Sequence, residues 1–179
     1  MTVPPQLIHA SRTMAWLSTI GFLIVPAITA YVFLDPDRSH WMMFDINHLG
    51  ADITGAVPLP FRLIALACEL VSVGFTMWAL WSLRQLFLLH AKGEVFSQSA
   101  LRALNHVALA LFCGVVASFV MQAPISFALT FARGHGHRSI SLGFGSNDVA
   151  TLFMAGVVLV IARVMAEARR VADENAAFV

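Results

Sequence analysis

The stretch Leu63–Leu83, LIALACELVSVGFTMWALWSL, is an apolar segment of membrane-spanning length that contains one carboxylate, Glu69. About 20 mostly apolar residues are enough for an α-helix to cross the hydrocarbon core of a bilayer. An acidic side chain in such a segment is costly unless it faces other helices or a water-filled cavity. The stretch therefore predicts a transmembrane helix with one face turned towards neighbouring helices.

The composition of the chain indicates that this helix has membrane-spanning neighbours. Of the 179 residues, 59% are apolar and only 12% are charged, and the mean hydropathy is +0.78. Soluble domains carry roughly 45–50% apolar and about 25% charged residues, so this chain is too poor in charge for a soluble surface. A net charge of +1 gives no concentrated basic face for direct binding of nucleic acid. We expect one membrane domain, with Cys68 and Cys113 as small packing residues inside it.

Four apolar segments predict an all-α integral membrane protein, a bundle of four transmembrane helices. The expected spans are about 13–34, 61–90, 102–132 and 148–168. The first segment could instead be a signal peptide, but it is longer than the usual apolar core of about 7–15 residues, so we expect an uncleaved span. An outer loop joins the first two helices, and residues 41–49 within it suit a short amphipathic helix. Residues 169–179 are expected to continue the last helix as a cytoplasmic tail.

The ends of the second and third helices carry capping signals. Gly93 suits the C-terminal cap of the second helix. Ser97 or Ser99 suits the N-terminal cap of the third helix. These positions predict a tight turn, so the two helices should form an antiparallel hairpin.

The distribution of basic residues predicts the orientation in the membrane, because cytoplasmic ends of spans carry more Lys and Arg. One side holds Arg12, Arg84, Lys92, Arg102, Arg163, Arg169 and Arg170, and the other holds Arg38, Arg62, Arg133 and Arg138. The richer side should be cytoplasmic, which places both termini in the cytoplasm.

Glu69 is the strongest candidate for chemistry within the membrane. It lies eight residues inside the outer end at Phe61, which corresponds to about 12 Å at 1.5 Å per residue. Gln122, Thr29 and Thr151 on the other helices fall in the same outer half of the membrane. Two interpretations stay open. Glu69 is either a proton-binding or ligand-binding group in an outward-facing cavity, or a protonated carboxyl that Gln122 or a threonine satisfies in a polar core.

Histidines on the outer face are a second candidate site. His40, His48, His135 and His137 all fall in the loops on that side. Imidazole nitrogens bind zinc or copper, although the spacing here matches no defined metal motif. The alternative is a solvated polar loop without metal. The sequence contains no nucleophile–base pair and no phosphate-binding loop, so it predicts no enzyme and no further cofactor.

Two segments resemble a bacterial membrane family, the domain of unknown function 2975 family. The segment from Gly93 through Phe96 and Ser97 to Arg102 is similar to its G-x-x-F-[ST]…L-R-x-[LI] turn. Asp148–Val179 looks like its final helix, in which a glutamate stands shortly before an apolar C-terminus. The resemblance implies a multi-pass protein of the bacterial inner membrane with no established activity. This chain departs from the family pattern in its longer, histidine-bearing outer loop and in its C-terminal residues.

The resemblance also suggests a partner, because some family members are encoded beside small helix-turn-helix regulators. We therefore expect a regulatory membrane protein that docks such a cytoplasmic regulator. The expected docking residues are Lys92, Glu94 and Phe96 in the hairpin turn, and Glu167, Arg170, Glu174 and Phe178 in the tail. The alternative hypothesis is a membrane protein that handles a small molecule, protons or other ions through Glu69.

Overall fold

The structure is a computed structural model that describes residues 5–34, 57–94, 97–131, 140 and 142–176. These residues form four α-helices, with no strand among them: α1 (Pro5–Leu34), α2 (Leu59–Ala91), α3 (Gln98–Phe131) and α4 (Ser146–Ala176). Each helix contains a segment long and apolar enough to cross a membrane, namely Ile8–Leu34, Leu59–Ala91, Gln98–Phe131 and Ser146–Val171. The predicted all-α fold with four transmembrane helices is confirmed. The chain is a multi-pass membrane protein.

Large apolar side chains on the outside of the helices suit contact with lipid. Trp16 on α1 and Phe153 on α4 are each 71% exposed, and Val164 on α4 is 63% exposed. In water, apolar surface of this extent would drive association or aggregation. In a bilayer it contacts acyl chains, so helix packing depends on close van der Waals contact between small residues instead.

Glycines provide such close contacts at two places along α2. A Cβ atom added to Gly21 of α1 would lie 3.5 Å from Leu80 Cδ1, and one added to Gly114 of α3 would lie 3.5 Å from Phe75 Cβ. Both distances are ordinary van der Waals contacts. An alanine Cβ would therefore fit at either position, and these small residues of α1 and α3 lie close to α2.

The chain divides into two compact units, and every helix contributes a segment to each of them. Unit 1 comprises Met1–Phe22, Thr76–Phe112 and Thr151–Val179, and unit 2 comprises Leu23–Phe75 and Cys113–Ala150.

The core of unit 2 joins α2 to α3. Its buried residues are Val57, Ala65, Ile125, Ala128 and Leu129, and Phe33, Phe61, Cys68 and Met121 pack against them. Cys68 therefore packs as expected, with a free thiol. The Phe61 and Phe131 rings add a contact with centroids 5.8 Å apart.

The core of unit 1 lies beside the connection between α2 and α3. Its buried residues are Leu86, Ala100 and Ala103, with Leu83, Leu89 and Leu104 packed against them. Because residues of both helices pack together in this core next to the turn, α2 and α3 form the predicted hairpin.

The hairpin connection has the predicted caps at both ends. Gly93 has a φ of 83°, and its N–H donates to His90 O at 3.0 Å while the Glu94 N–H donates to Leu89 O at 3.0 Å. This pair of bonds is a Schellman motif, which needs a left-handed residue where Gly93 stands. At the start of α3, Ser97 Oγ accepts from the Ala100 N–H at 3.1 Å. Of the two serines considered, Ser97 is the cap.

The short amphipathic helix expected at 41–49 lies outside the described residues, as does the rest of 35–56.

Candidate functional site

Glu69 lies on the buried face of α2, within unit 2. Ala65, four residues before it, is completely buried, and Ser72 and Val73 after it are buried as well. Glu69 itself is half-buried. Thr76, seven residues after Glu69 on the same helical face, is exposed. The carboxylate is therefore on the side of α2 that packs against protein.

The polar residues expected around Glu69 have other hydrogen-bond partners. Gln122 is buried, and its Oε1 accepts from the Gly143 N–H at 2.7 Å, which ties the segment before α4 to α3. Thr29 Oγ1 donates to Val25 O of its own helix at 2.9 Å. Among the described residues, none forms a hydrogen bond with the Glu69 carboxylate. Thr151 is half-buried and belongs to unit 1. A shared site of Glu69, Gln122, Thr29 and Thr151 stays a prediction.

A stripe of buried polar residues follows Gln122 along α3. Ser126 and Thr130 continue it at intervals of four residues, and both are almost completely buried. Ser126 Oγ donates to Ala123 O at 3.1 Å, and Thr130 Oγ1 donates to Ser126 O at 2.7 Å. Only Gln122 was predicted from the sequence. The four-residue spacing was the signal that could have identified the other two.

Two side chains of α2 in unit 2 each have a buried polar atom without a hydrogen-bond partner among the described residues. Arg62 Nη1 donates to Leu34 O at the end of α1 at 3.5 Å, but its Nε is buried without a partner within the described part of the chain. Ser72 Oγ is likewise buried and has no hydrogen bond there. A buried polar atom without a partner is destabilising. Unit 2 thus holds two buried polar atoms of α2 that no described residue satisfies.

The expected docking residues that the structure describes are all exposed. Lys92 and Glu94 are exposed in the hairpin turn. On α4, Arg170 bonds Glu167 one turn before it and approaches Glu174 to 3.8 Å one turn after it, and each of these side chains is about 60% exposed. Phe96 and Phe178 lie outside the described residues.

A cavity in unit 1 contains two arginines and was not predicted from the sequence. Its volume is about 310 Å³, and it is lined by Arg12, Ala15, Trp16, Thr19, Arg84 and Leu88. Arg84 Nε donates to Thr19 Oγ1 at 3.0 Å, and its guanidinium carbon lies 5.3 Å from the centroid of the Trp81 ring. The sequence indicated Arg84 only as one of the basic residues on one side of the membrane. Its partner Thr19 lies 65 residues away, beyond the reach of local spacing.

The histidines considered for zinc or copper, His40, His48, His135 and His137, lie outside the described residues. Within the described part of the chain, no group of three His, Cys, Asp or Glu side chains is placed to hold a metal ion. An outer metal site therefore stays a prediction.

A family model described as "Protein of unknown function (DUF2975)" matches residues 41–179, which is more than half of the chain. The matched range includes the hairpin turn and all of α4, and it begins after α1. No match was found among curated proteins or among solved structures.

Proposed function

We propose, since the chain belongs to this DUF2975 family, that it is a regulatory membrane protein that docks a cytoplasmic partner. The family description gives no activity, so the proposal rests on the surfaces of the helices. We place the chain in the bacterial inner membrane with both termini in the cytoplasm. The partner class is a small helix-turn-helix regulator, the class of protein that the resemblance suggests.

The polar end of α4 is the observation that carries the proposal. The helix continues to Ala176, although its membrane-compatible segment ends at Val171. Ion pairs at intervals of three and four residues stabilise a solvated helix, so this surface is formed before any partner arrives. Val171, the last residue of the membrane-compatible segment, is 45% exposed on the face beside the charges. An apolar side chain flanked by charges is a surface that a partner helix can contact.

The hairpin turn can contribute to the same surface. Membrane spans alternate in direction, so the turn between α2 and α3 and the end of α4 lie on one side of the membrane. Lys92 and Glu94 are exposed in that turn. Charges of both signs in the turn and the tail would select a partner with the complementary pattern.

The test is co-purification of the full-length chain from its native membranes with any bound small helix-turn-helix regulator. A variant with Glu167→Arg, Arg170→Glu and Glu174→Arg keeps the ion pairs within α4 but inverts the charge pattern that it presents. We expect this variant to lose about tenfold or more in affinity, because each misplaced charge opposes a partner charge. Arg102→Glu, an exposed change outside the proposed surface, should bind like the wild type. Unchanged binding both in the charge-swapped variant and after deletion of residues 169–179 would contradict docking at this surface.

Glu69 supports a second candidate function, the handling of protons or a small molecule in an outward-facing cavity. The specific observation is that no described residue hydrogen bonds this half-buried carboxylate in a membrane span. A polar group of this kind is costly in a membrane and commonly marks a functional site. Arg62 Nε and Ser72 Oγ on the same helix are also buried without a partner among the described residues.

A further inference from the structure

We propose that the cavity lined by Arg12 and Arg84 binds the phosphate of an anionic phospholipid headgroup. The site lies entirely within unit 1, and its lining comes from α1 and α2. It shares no residue with the docking surface or with the Glu69 region, so it stands independently of both candidate functions.

Arg84 is held in a position suited to an anion. Its Nε is used by Thr19 Oγ1, and Thr19 is itself fixed because its hydroxyl donates to Ala15 O at 2.9 Å. Trp81 stacks near the guanidinium, and Phe22 packs against Trp81 with centroids 6.0 Å apart. The Thr19 hydrogen bond and the Trp81 ring together fix the Arg84 guanidinium, and its terminal N–H groups stay available. Two such N–H groups can bind two oxygens of one phosphate.

Neither arginine is neutralised by a neighbour in the described part of the chain. The ion pairs found there join Arg170 to Glu167 and Glu174, and none involves Arg12 or Arg84. Two positive charges that line one cavity without a carboxylate repel each other. A phosphate group between the two arginines offsets that repulsion, and its oxygens accept hydrogen bonds from both side chains.

The walls of the cavity indicate that the anion is attached to a lipid. The volume of about 310 Å³ leaves room for more than a phosphate group and lies within the range of about 300–1,000 Å³ that is usual for ligand sites. Ala15, Trp16 and Leu88 give the lining an apolar part, and Trp16 is 71% exposed. An acyl chain can contact this apolar surface, whereas a soluble phosphate ion cannot use it.

The position along the helices matches the level of lipid headgroups. Arg12 stands immediately before the uncharged stretch of α1 that begins at Thr13, and Trp81 and Arg84 stand near the end of α2 on the same side of the membrane. Tryptophan and snorkelling arginine side chains settle at this level. Basic pockets between helices on the cytoplasmic side are known binding sites for anionic headgroups.

The experiment titrates the purified full-length chain, in an uncharged detergent, with phosphatidylglycerol, phosphatidylcholine or inorganic phosphate, and follows the thermal unfolding midpoint. A ligand that binds the native state raises the midpoint in a saturable way. We expect phosphatidylglycerol to do so at concentrations at least about tenfold lower than phosphatidylcholine. Arg12→Gln and Arg84→Gln should each weaken this response about tenfold, the usual effect of one lost charged hydrogen bond. Arg102→Gln removes an equal charge outside the cavity and should respond like the wild type.

Two results would overturn the proposal. If both cavity variants respond to phosphatidylglycerol like the wild type, the cavity is not the site. Arg12→Gln keeps this outcome decisive even if Arg84→Gln fails to fold, because Arg12 is exposed and bonds no described residue. If inorganic phosphate saturates the wild type while phosphatidylglycerol has no effect, the anion is not a lipid. Arg84→Lys, which keeps the charge but loses the planar fork, should give an intermediate response.

Discussion

Glu69 is a single ionisable group whose role can be separated from its contribution to the fold. Glu69→Gln keeps the size of the side chain but removes its ability to bind and release a proton. If Glu69 carries protons, the variant in proteoliposomes should show the proton flux of empty vesicles while it unfolds at an unchanged or higher temperature. The higher temperature is expected because an amide is less costly than a carboxylate in a site without a described hydrogen-bond partner.

The matched control for Glu69 is Glu94→Gln, which makes the same chemical change at an exposed position in the hairpin turn. The flux of this control should equal that of the wild type. A Glu69→Gln variant with wild-type flux would leave the carboxylate as a structural feature of α2 and would favour the docking function.

Gln122 links α3 to the segment before α4 through one buried hydrogen bond. Gln122→Ala removes the acceptor of the Gly143 N–H and should lower the free energy of unfolding by about 1–3 kcal/mol. Gln98→Ala removes an exposed glutamine from the same helix and should change it by no more than about 0.5 kcal/mol. Thermal or denaturant unfolding in detergent measures both. Equal values for the two variants would show that the Gly143 bond contributes nothing.

At the scale of elements, Gly74 within α2 and Gly93 in the turn after it should respond in opposite ways to the same substitution. Gly93 has a φ of 83°, so Gly93→Ala should destabilise the chain by about 1–2 kcal/mol. A Cβ at Gly74 would meet nothing within 4 Å, and the helix interior favours alanine over glycine by about 0.5–1 kcal/mol. Unfolding measurements on both variants check the signs. Destabilisation of equal size at both positions would contradict the Schellman assignment.

The ends of α2 and α3 were predictable because their signals are local. Gly93 and Ser97 act on backbone groups within a few residues, so their identity is sufficient to place the turn. The Arg84–Thr19 and Gln122–Gly143 bonds join positions 65 and 21 residues apart. No spacing rule connects such positions, because their meeting depends on how whole helices pack. Sequence reasoning therefore identified Glu69 and Gln122 as unusual but could not identify their neighbours.

At the scale of the whole molecule, the orientation in the membrane is open to a direct test. In a background of Cys68→Ala and Cys113→Ala, a single cysteine is introduced as Lys92→Cys or as Ser146→Cys. Both positions are exposed, and they lie beyond opposite ends of α3. A membrane-impermeant maleimide should label the Ser146→Cys variant in intact spheroplasts. The Lys92→Cys variant should react only after the membrane is opened, because the side richer in Lys and Arg is cytoplasmic. The reverse labelling would invert the orientation.

The number of membrane spans was predictable from composition and apolar length alone, because these properties are set by the solvent and not by specific contacts. The division into two units was not predictable. The boundary between the units depends on where along each helix the contacts with other helices concentrate. Every helix is apolar on both sides of that boundary, so the sequence gives no sign of it. The four histidines considered for metal binding fall in residues 35–56 and 132–139, which lie outside the described residues.

The single acidic residue of α2 has a consequence for how the protein is made. A charged residue at the centre of a helix opposes insertion from the translocon by about 2.5–3.5 kcal/mol, while each Leu, Ile, Phe or Val there favours it by about 0.3–0.6 kcal/mol. The 33 residues of α2 include 15 of these four types. The helix is thus apolar enough to leave the translocon before α3 has been synthesised, and on this order of events Glu69 enters the bilayer before α3 packs against α2.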